Sequence, residues 1–220
     1  MEIEADLSRY KYVFAIPAYD GKVNLETMRS MIETTNRLSA MGVKWGMLSL
    51  KGCALADAAR NDLAHQFLTQ TDGDVLVFID SDMSWEWSSM ERLLVWATVY
   101  PVVSGVYCGR MEPPTFMVNV KPGGFNEHGL LSHEGCGLGF TAIHRKVFEK
   151  IEVPEYTNKK YPEKMQQFFA TGVFDGRYIG EDIYFFRQCL KAGFQPMADP
   201  GIELIHHGTK DYNYQFKDTF

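Results

Sequence analysis

The sequence predicts an α/β fold, with a mixed, mainly parallel sheet flanked by helices and a small antiparallel element in the second half. Three observations support this. From Tyr12 to Tyr107, short apolar runs alternate with stretches of helical period. One of those runs, Asp74 to Ile79, is apolar without interruption after its first residue, as in a strand covered on both faces. After Tyr107 the alternation stops, and a turn region holding Gly123, Gly124 and Asn126 separates two extended stretches, the pattern of a hairpin.

The elements follow in order. Tyr12 to Ile16 reads as a buried strand stopped by Pro17. Asn24 caps a helix in which Leu25, Met28, Ile32, Leu38 and Met41 form the apolar face, with Gly42 as its stop. Val43, Trp45 and Met47 alternate as a second strand, and a helix from about Ala54 to Gln70 carries Leu55, Ala59, Leu63 and Phe67 on one face. After the strand at 74–79, Ser84 caps a helix reaching about Tyr100, and Pro101 to Tyr107 is a fourth strand. Thr115 to Val120 and Leu130 to Leu131 form the hairpin, Gly139 to Ile143 a further strand, and Lys146 to Ile151 a short helix. The stretch Pro154 to Tyr178 is aromatic but aperiodic, too long for an ordinary connection. A last helix spans Glu181 to Ala192, and Ile202 to His206 reads as the final strand. No repeat or linker divides the chain, so one domain is expected.

Bulk properties narrow the function. With 220 residues, 45% hydrophobic and 23% charged, the chain can bury a globular core. A net charge of -6 argues against a general nucleic-acid binder, which needs a basic face. An acidic protein that handles phosphate is better served by a divalent ion than by lysine clusters. The four cysteines have no CxxC spacing, which points to a reducing, cytoplasmic setting without zinc or disulfides. The start, MEIEADLSRYKY, is too polar for a secretory signal, and no apolar run nears the roughly 20 residues of a membrane span.

The buried run VFIDSDM ends in two carboxylates, Asp80 and Asp82, flanking Ser81. Ligands of open α/β sheets bind at the carboxyl ends of strands, and Pro17 to Gly21 shares that end. Strand alternation puts both aspartates on one side, where two oxygen ligands suit Mg²⁺ or Mn²⁺. The plain alternative is that one aspartate caps the next helix and the other is solvated.

Seven stretches occur in a telling order: VFAIPAYDG, LADAARNDLAHQFL, DVLVFIDSDM, VVSGVYCGR, GCGLGFTAIHRKVFEKI, GEDIYFFRQCLKAGF and IELIHHG. With them the chain resembles the nucleotide-sugar-dependent glycosyltransferases of the GT-A fold, closest to small bacterial and viral enzymes that decorate glycans or surface proteins. The resemblance implies a nucleotide-binding half at about 10–110 and an acceptor and catalytic half at about 111–220. It implies transfer from a nucleoside diphosphate sugar, UDP-linked by the family's habit, to a hydroxyl of a glycan or glycoprotein. Pro17, Ala18, Tyr19 and Asp20 would hold the nucleoside, and Arg60 would reach the base or diphosphate with Asp57 orienting it. Asp80, with Ser81 beside it, would face the ribose or share the metal. Asp82 would be the main ligand of Mn²⁺ or Mg²⁺. His206 and His207 point to opposite faces of a regular strand, and family position favours His206 as the second ligand. Lys210, in the tail GTKDYNYQF, would bring charge to the diphosphate.

Glu181 and Asp182 open a helix, where acids are favoured by the helix dipole in any case. The resemblance implies that Asp182 is the base of an inverting reaction and Glu181 binds acceptor hydroxyls, with an exchange of roles left open. Gly135, Gly137 and Gly139 precede no helix, so they mark close backbone approach rather than a phosphate loop. Two other readings stay open. A phosphatase of the haloacid dehalogenase type would use the same strand-borne DxD, and a GT-A domain could persist as an inert carbohydrate-binding module.

Overall fold

The computed structural model describes residues 5–220. In chain order the elements are β1 (Lys11–Ala18), α1 (Leu25–Ala40), β2 (Lys44–Lys51), α2 (Ala56–Gln70), β3 (Val75–Ile79), β4 (Met83–Ser84), α3 (Trp87–Ala97) and β5 (Val102–Gly105). The second half comprises β6 (Val118–Phe125), β7 (Leu131–Cys136), β8 (Phe140–His144), α4 (Arg145–Lys150), β9 (Glu155–Tyr156), β10 (Met165–Gln166), β11 (Gly172–Phe174) and β12 (Arg177–Ile179). It closes with α5 (Glu181–Lys191), β13 (Met197–Asp199), β14 (Ile205–His207) and β15 (Asp211–Tyr212).

The central sheet has the order β2-β1-β3-β8-β5-β13-β7-β6. β1 is parallel to both β2 and β3, and β13 is parallel to β5. β8 runs against β3 and β5, and β7 runs against β13 and β6. Only β7 and β8 oppose the rest, so the sheet is mixed but mainly parallel in direction. β6 and β7 form the expected hairpin. A second, three-stranded sheet, β15-β14-β4, sits beside the carboxyl end of β3.

β3 explains why its sequence lacks alternation. Val75, Val77 and Ile79 enter the core on one face of the sheet with Phe14, Leu38 and Leu93. Leu76 and Phe78 enter the core on the other with Leu63, Phe67 and Phe185. All five residues of β3 are inaccessible to solvent. Each such side chain contributes about 1.5–3 kcal/mol by leaving water, which fixes the strand whose end carries the two aspartates.

Several local expectations are corrected. The buried face of α1 is Thr27, Ser30, Met31, Thr34 and Leu38, whereas Leu25, Met28, Ile32 and Met41 are exposed. Small polar side chains win the inner face because Ser30 and Thr34 bond to Trp85, through its carbonyl and its indole N–H. Asn24 does cap α1, its Oδ1 accepting from Glu26 N at 2.8 Å. Ser84 caps nothing: it lies in β4, and α3 begins three residues later, after Glu86. The strand expected at 202–206 is Ile205–His207; it joins the small sheet and is followed by β15, while the unforeseen β13 fills the central one. The aperiodic stretch folds as two short hairpins, β9-β10 and β11-β12.

α2 holds that stretch in place with a polar face. Asn61 Nδ2 donates to Phe169 O at 2.7 Å, and its Oδ1 accepts from Phe169 N at 3.0 Å. Asp62 accepts from Lys160 Nζ and from the Tyr161 hydroxyl at 2.6 Å. His65 pairs with Glu163 at 2.8 Å. Among the described residues no helix is long and apolar enough to cross a membrane.

Candidate active site

A cavity of about 340 Å³ opens at the carboxyl ends of β1 and β3. β1 brings Pro17 and Tyr19 to it, and the turn after β3 brings Asp80, Ser81 and Asp82. Arg60 enters from α2, Glu181 from α5, His206 from β14, and Arg110 from the loop after β5. Six distant parts of the sequence therefore meet where open sheets bind ligands.

Arg60 is the buried centre of this group, at 5% exposure. Its Nη2 donates to Asp80 Oδ1 at 2.8 Å, its Nε lies 3.6 Å from Glu181, and its guanidinium stacks over Phe78. Burial works against the charge, yet Asp80 and Glu181 hold Arg60 above its ordinary pKa. Arg60 Nε and Nη1 are buried without a hydrogen-bond partner. An unsatisfied buried donor costs about 1–3 kcal/mol, more on a charged group, and here the Nε has only the longer approach of Glu181.

The glycines of GCGLGF make room beneath the carboxylates. A Cβ on Gly139 would lie 2.5 Å from Asp80 Oδ2. Gly139 N also donates to the Tyr107 hydroxyl at 3.2 Å. Tyr107 is buried, its phenol pushed well up by burial, and its ring meets His206 edge-on at 5.2 Å. It braces the site from below.

The two candidate metal ligands are fixed by the small sheet. β14 pairs with β4 so that His206 stands opposite Met83, and His207 N donates to Asp82 O at 2.8 Å. His206 Nε2 lies 3.5 Å from Asp82 Oδ1. His206 Nδ1 donates to Cys108 O at 3.0 Å, which leaves the Nε2 lone pair facing the cavity. Burial, reinforced by the Arg110 charge, lowers the imidazole pKa. A carboxylate and a neutral imidazole fit Mn²⁺ well. They are only two ligands, however, and among the described residues no group of three or more His, Cys, Asp or Glu is arranged to hold a metal. Asp80, expected to share the ion, is engaged by Arg60 instead.

His207 faces away, as strand alternation requires. Its Nε2 bonds Ser84 Oγ at 2.8 Å and its Nδ1 bonds Asp211 at 2.7 Å. These contacts tie β14 to β4 and so hold Asp82 and His206 in register. A larger cavity of about 510 Å³ lies on that side, lined by Glu26, Glu33, Glu86 and Glu203. It shares no lining residue with the first cavity.

Asp182 stands half-buried in the first turn of α5, and its Oδ1 accepts from Ile183 N at 2.7 Å. Burial raises its pKa, with the neighbouring Glu181 adding to the effect. A carboxylate held above its ordinary range is a better proton acceptor near neutral pH.

Asp182 and the remaining expected residues are not among those that line the cavity. Ala18 is buried at the end of β1 and Asp20 is exposed, accepting from Lys22 N. Asp57 does not orient Arg60, because its carboxylate accepts from Ala58 N and Thr171 N instead. Lys210 pairs with Glu112. Arg110 was not anticipated. Its Nη2 pairs with Asp82 and its Nε donates to His206 Nε2 at 3.1 Å. The available signal was a basic residue just beyond a strand's carboxyl end, in VVSGVYCGR.

No family model and no curated protein sequence matches the chain. Solved structures do. A197 from STIV superposes with a TM-score of 0.60 at 23% identity, over 90% of this chain and 86% of that one. A Drosophila β1,4-galactosyltransferase 7 mutant, solved with manganese, UDP-Gal and xylobiose, superposes with a TM-score of 0.51 at 14% identity, over 94% of this chain and 69% of that one. The fold is GT-A. At these identities the likeness establishes the GT-A architecture, and the chemistry rests on the side chains above.

Proposed function

We propose that this GT-A chain is a glycosyltransferase that moves a sugar from a nucleoside diphosphate donor, UDP-linked first, to a hydroxyl of a glycan or glycoprotein. The observation that carries the reading is Arg60, a buried cation with two unpartnered N–H groups beside Asp80, Asp82 and His206. Such a mixture of arginines and carboxylates at the carboxyl end of the sheet supports a ligand that brings phosphate charge together with a divalent ion, as a nucleoside diphosphate does. The neighbour's manganese and UDP-Gal belong to that protein, and they support the reading by analogy of fold.

Each residue then has a role. Pro17, Ala18, Tyr19 and Asp20 form the rim on which the nucleoside rests, and Ser81 and Asp80 line the floor. Arg60 binds the diphosphate. Asp82 and His206 are the residues that would hold a divalent ion, with Asp80 at its margin, and bound there it would supply Lewis acidity to the departing diphosphate. Asp182 takes the proton of the acceptor hydroxyl, which attacks the anomeric carbon from the side opposite the leaving group. Glu181 orients the acceptor while balancing Arg60, and Lys210 adds charge at the edge. The phosphatase reading needs Asp80 as a free nucleophile, whereas its Oδ1 is tied to Arg60.

Saturation-transfer NMR against a panel of nucleotide sugars, with Mn²⁺ present, tests the proposal. Binding of at least one donor, weakened tenfold or more in Arg60→Met (about 1.4 kcal/mol), supports it. Absence of binding across the panel refutes it.

A further inference from the structure

Arg110 occupies the space that a divalent ion would need. Its guanidinium lies between Asp82 and His206, paired with the first and donating to the Nε2 lone pair of the second. The arginine stem passes close to Gly208, where a Cβ would lie 2.9 Å from Arg110 Cδ. The same loop supplies Cys108 O, which sets the His206 tautomer, and Glu112, which pairs with Lys210. The side chain is 43% exposed, so it can swing into the cavity without disturbing the core.

We infer that Arg110 and a divalent cation are alternative occupants of the Asp82–His206 position, and that a diphosphate switches one for the other. This rests on the metal-dependent reading above. Charge explains the linkage. Asp80, Asp82 and Glu181 face two arginines in this site, so a divalent ion entering alone would leave an excess of positive charge close to Arg110. A diphosphate removes that excess and gives the displaced guanidinium a bidentate partner. Metal and nucleotide therefore bind together, each favouring the other. In their absence the arginine keeps the carboxylate and imidazole paired.

The test is Mn²⁺ binding followed by electron paramagnetic resonance, with and without UDP, in the wild type, Arg110→Met and Asp82→Ala. Arg110→Met should bind Mn²⁺ alone about tenfold more tightly than the wild type, within the usual range of site coupling. UDP should tighten Mn²⁺ binding in the wild type and have much less effect in the variant. Asp82→Ala should abolish binding in every case. Arg110→Gln, which shortens the side chain and removes its charge, should repeat the Met result and guards against a folding defect. If Arg110→Met binds Mn²⁺ no better than the wild type while Asp82→Ala abolishes it, the exchange is refuted and the metal reading stands. If no variant binds Mn²⁺ and Arg110→Met only weakens UDP, both are refuted, and Arg110 is a permanent substitute for the ion.

Discussion

Asp80 and Arg60 form the part-buried ion pair on which the site is built, 2.8 Å apart, with the arginine side chain 6% and the aspartate side chain 24% exposed. The pair explains why VFIDSDM can end in two acids. Each aspartate has its own cation, Arg60 for Asp80 and Arg110 for Asp82, so neither relies on the other's solvation.

Removing Arg60 should therefore harm both fold and binding. Arg60→Met leaves the partly buried Asp80 and Glu181 without their shared cation, at a cost of roughly 3 kcal/mol, the lower end for broken buried pairs. Urea denaturation measures it. A loss below about 1 kcal/mol would mean that water already solvates the pair.

Asp182 gives a stability prediction with a definite sign. Its folded-state pKa is raised, so the folded protein binds this proton more tightly than the unfolded chain. The resulting destabilisation is absent below the ordinary value of 3.8 and grows as pH rises through the raised value. Asp182→Asn should match the wild type in acid and melt higher at neutral pH. Equal melting temperatures at both pH values would show that burial does not strain this carboxylate.

His133 works in the opposite direction. It is fully buried against Phe186, and burial lowers its pKa to about 3 from an ordinary 6.5. Below pH 6.5 the unfolded chain gains a proton that the folded one refuses, so stability falls with pH until about pH 3. The slope is at most about 1.4 kcal/mol per pH unit. His133→Leu should flatten the wild-type curve by that amount over this window, as read by denaturation at several pH values.

Asn61 is expected to control the order of the 154–178 stretch. Asn61→Ala strands a buried N–H and C=O of Phe169, costing about 1–3 kcal/mol for each group left unpaired. Hydrogen exchange at residues 165–171 should accelerate while β1 and β3 stay protected. Acceptor binding should slow the same amides if this stretch borders the acceptor. Unchanged exchange in the variant would assign the anchoring to Asp62 and His65.

The sequence revealed the sheet because burial on both faces leaves an unbroken apolar run, as at Val75 to Ile79. It revealed the DxD because carboxylates have no business ending such a run without a partner. It hid the inner face of α1, where Ser30 and Thr34 are buried through hydrogen bonds to Trp85 and the apolar Leu25, Met28 and Ile32 are left outside. β13 was hidden for a different reason: three residues, Met197 to Asp199, carry too little periodicity to read, and only the neighbours β5 and β7 make them a strand. Arg110 was hidden because its role depends on Asp82 and His206, 28 and 96 positions away, meeting at one point.

Proton NMR of a nucleoside diphosphate sugar, incubated with the protein and Mn²⁺, tests sugar transfer most directly. The donor's anomeric signal should decay as free nucleoside diphosphate accumulates, with the sugar appearing in the opposite anomeric configuration on an acceptor. Asp182→Asn should bind the same donor within a few-fold yet slow the decay by roughly 10²-fold or more. A donor that binds and never decays with any hydroxyl acceptor, or a product of retained configuration formed equally fast by Asp182→Asn, would contradict it.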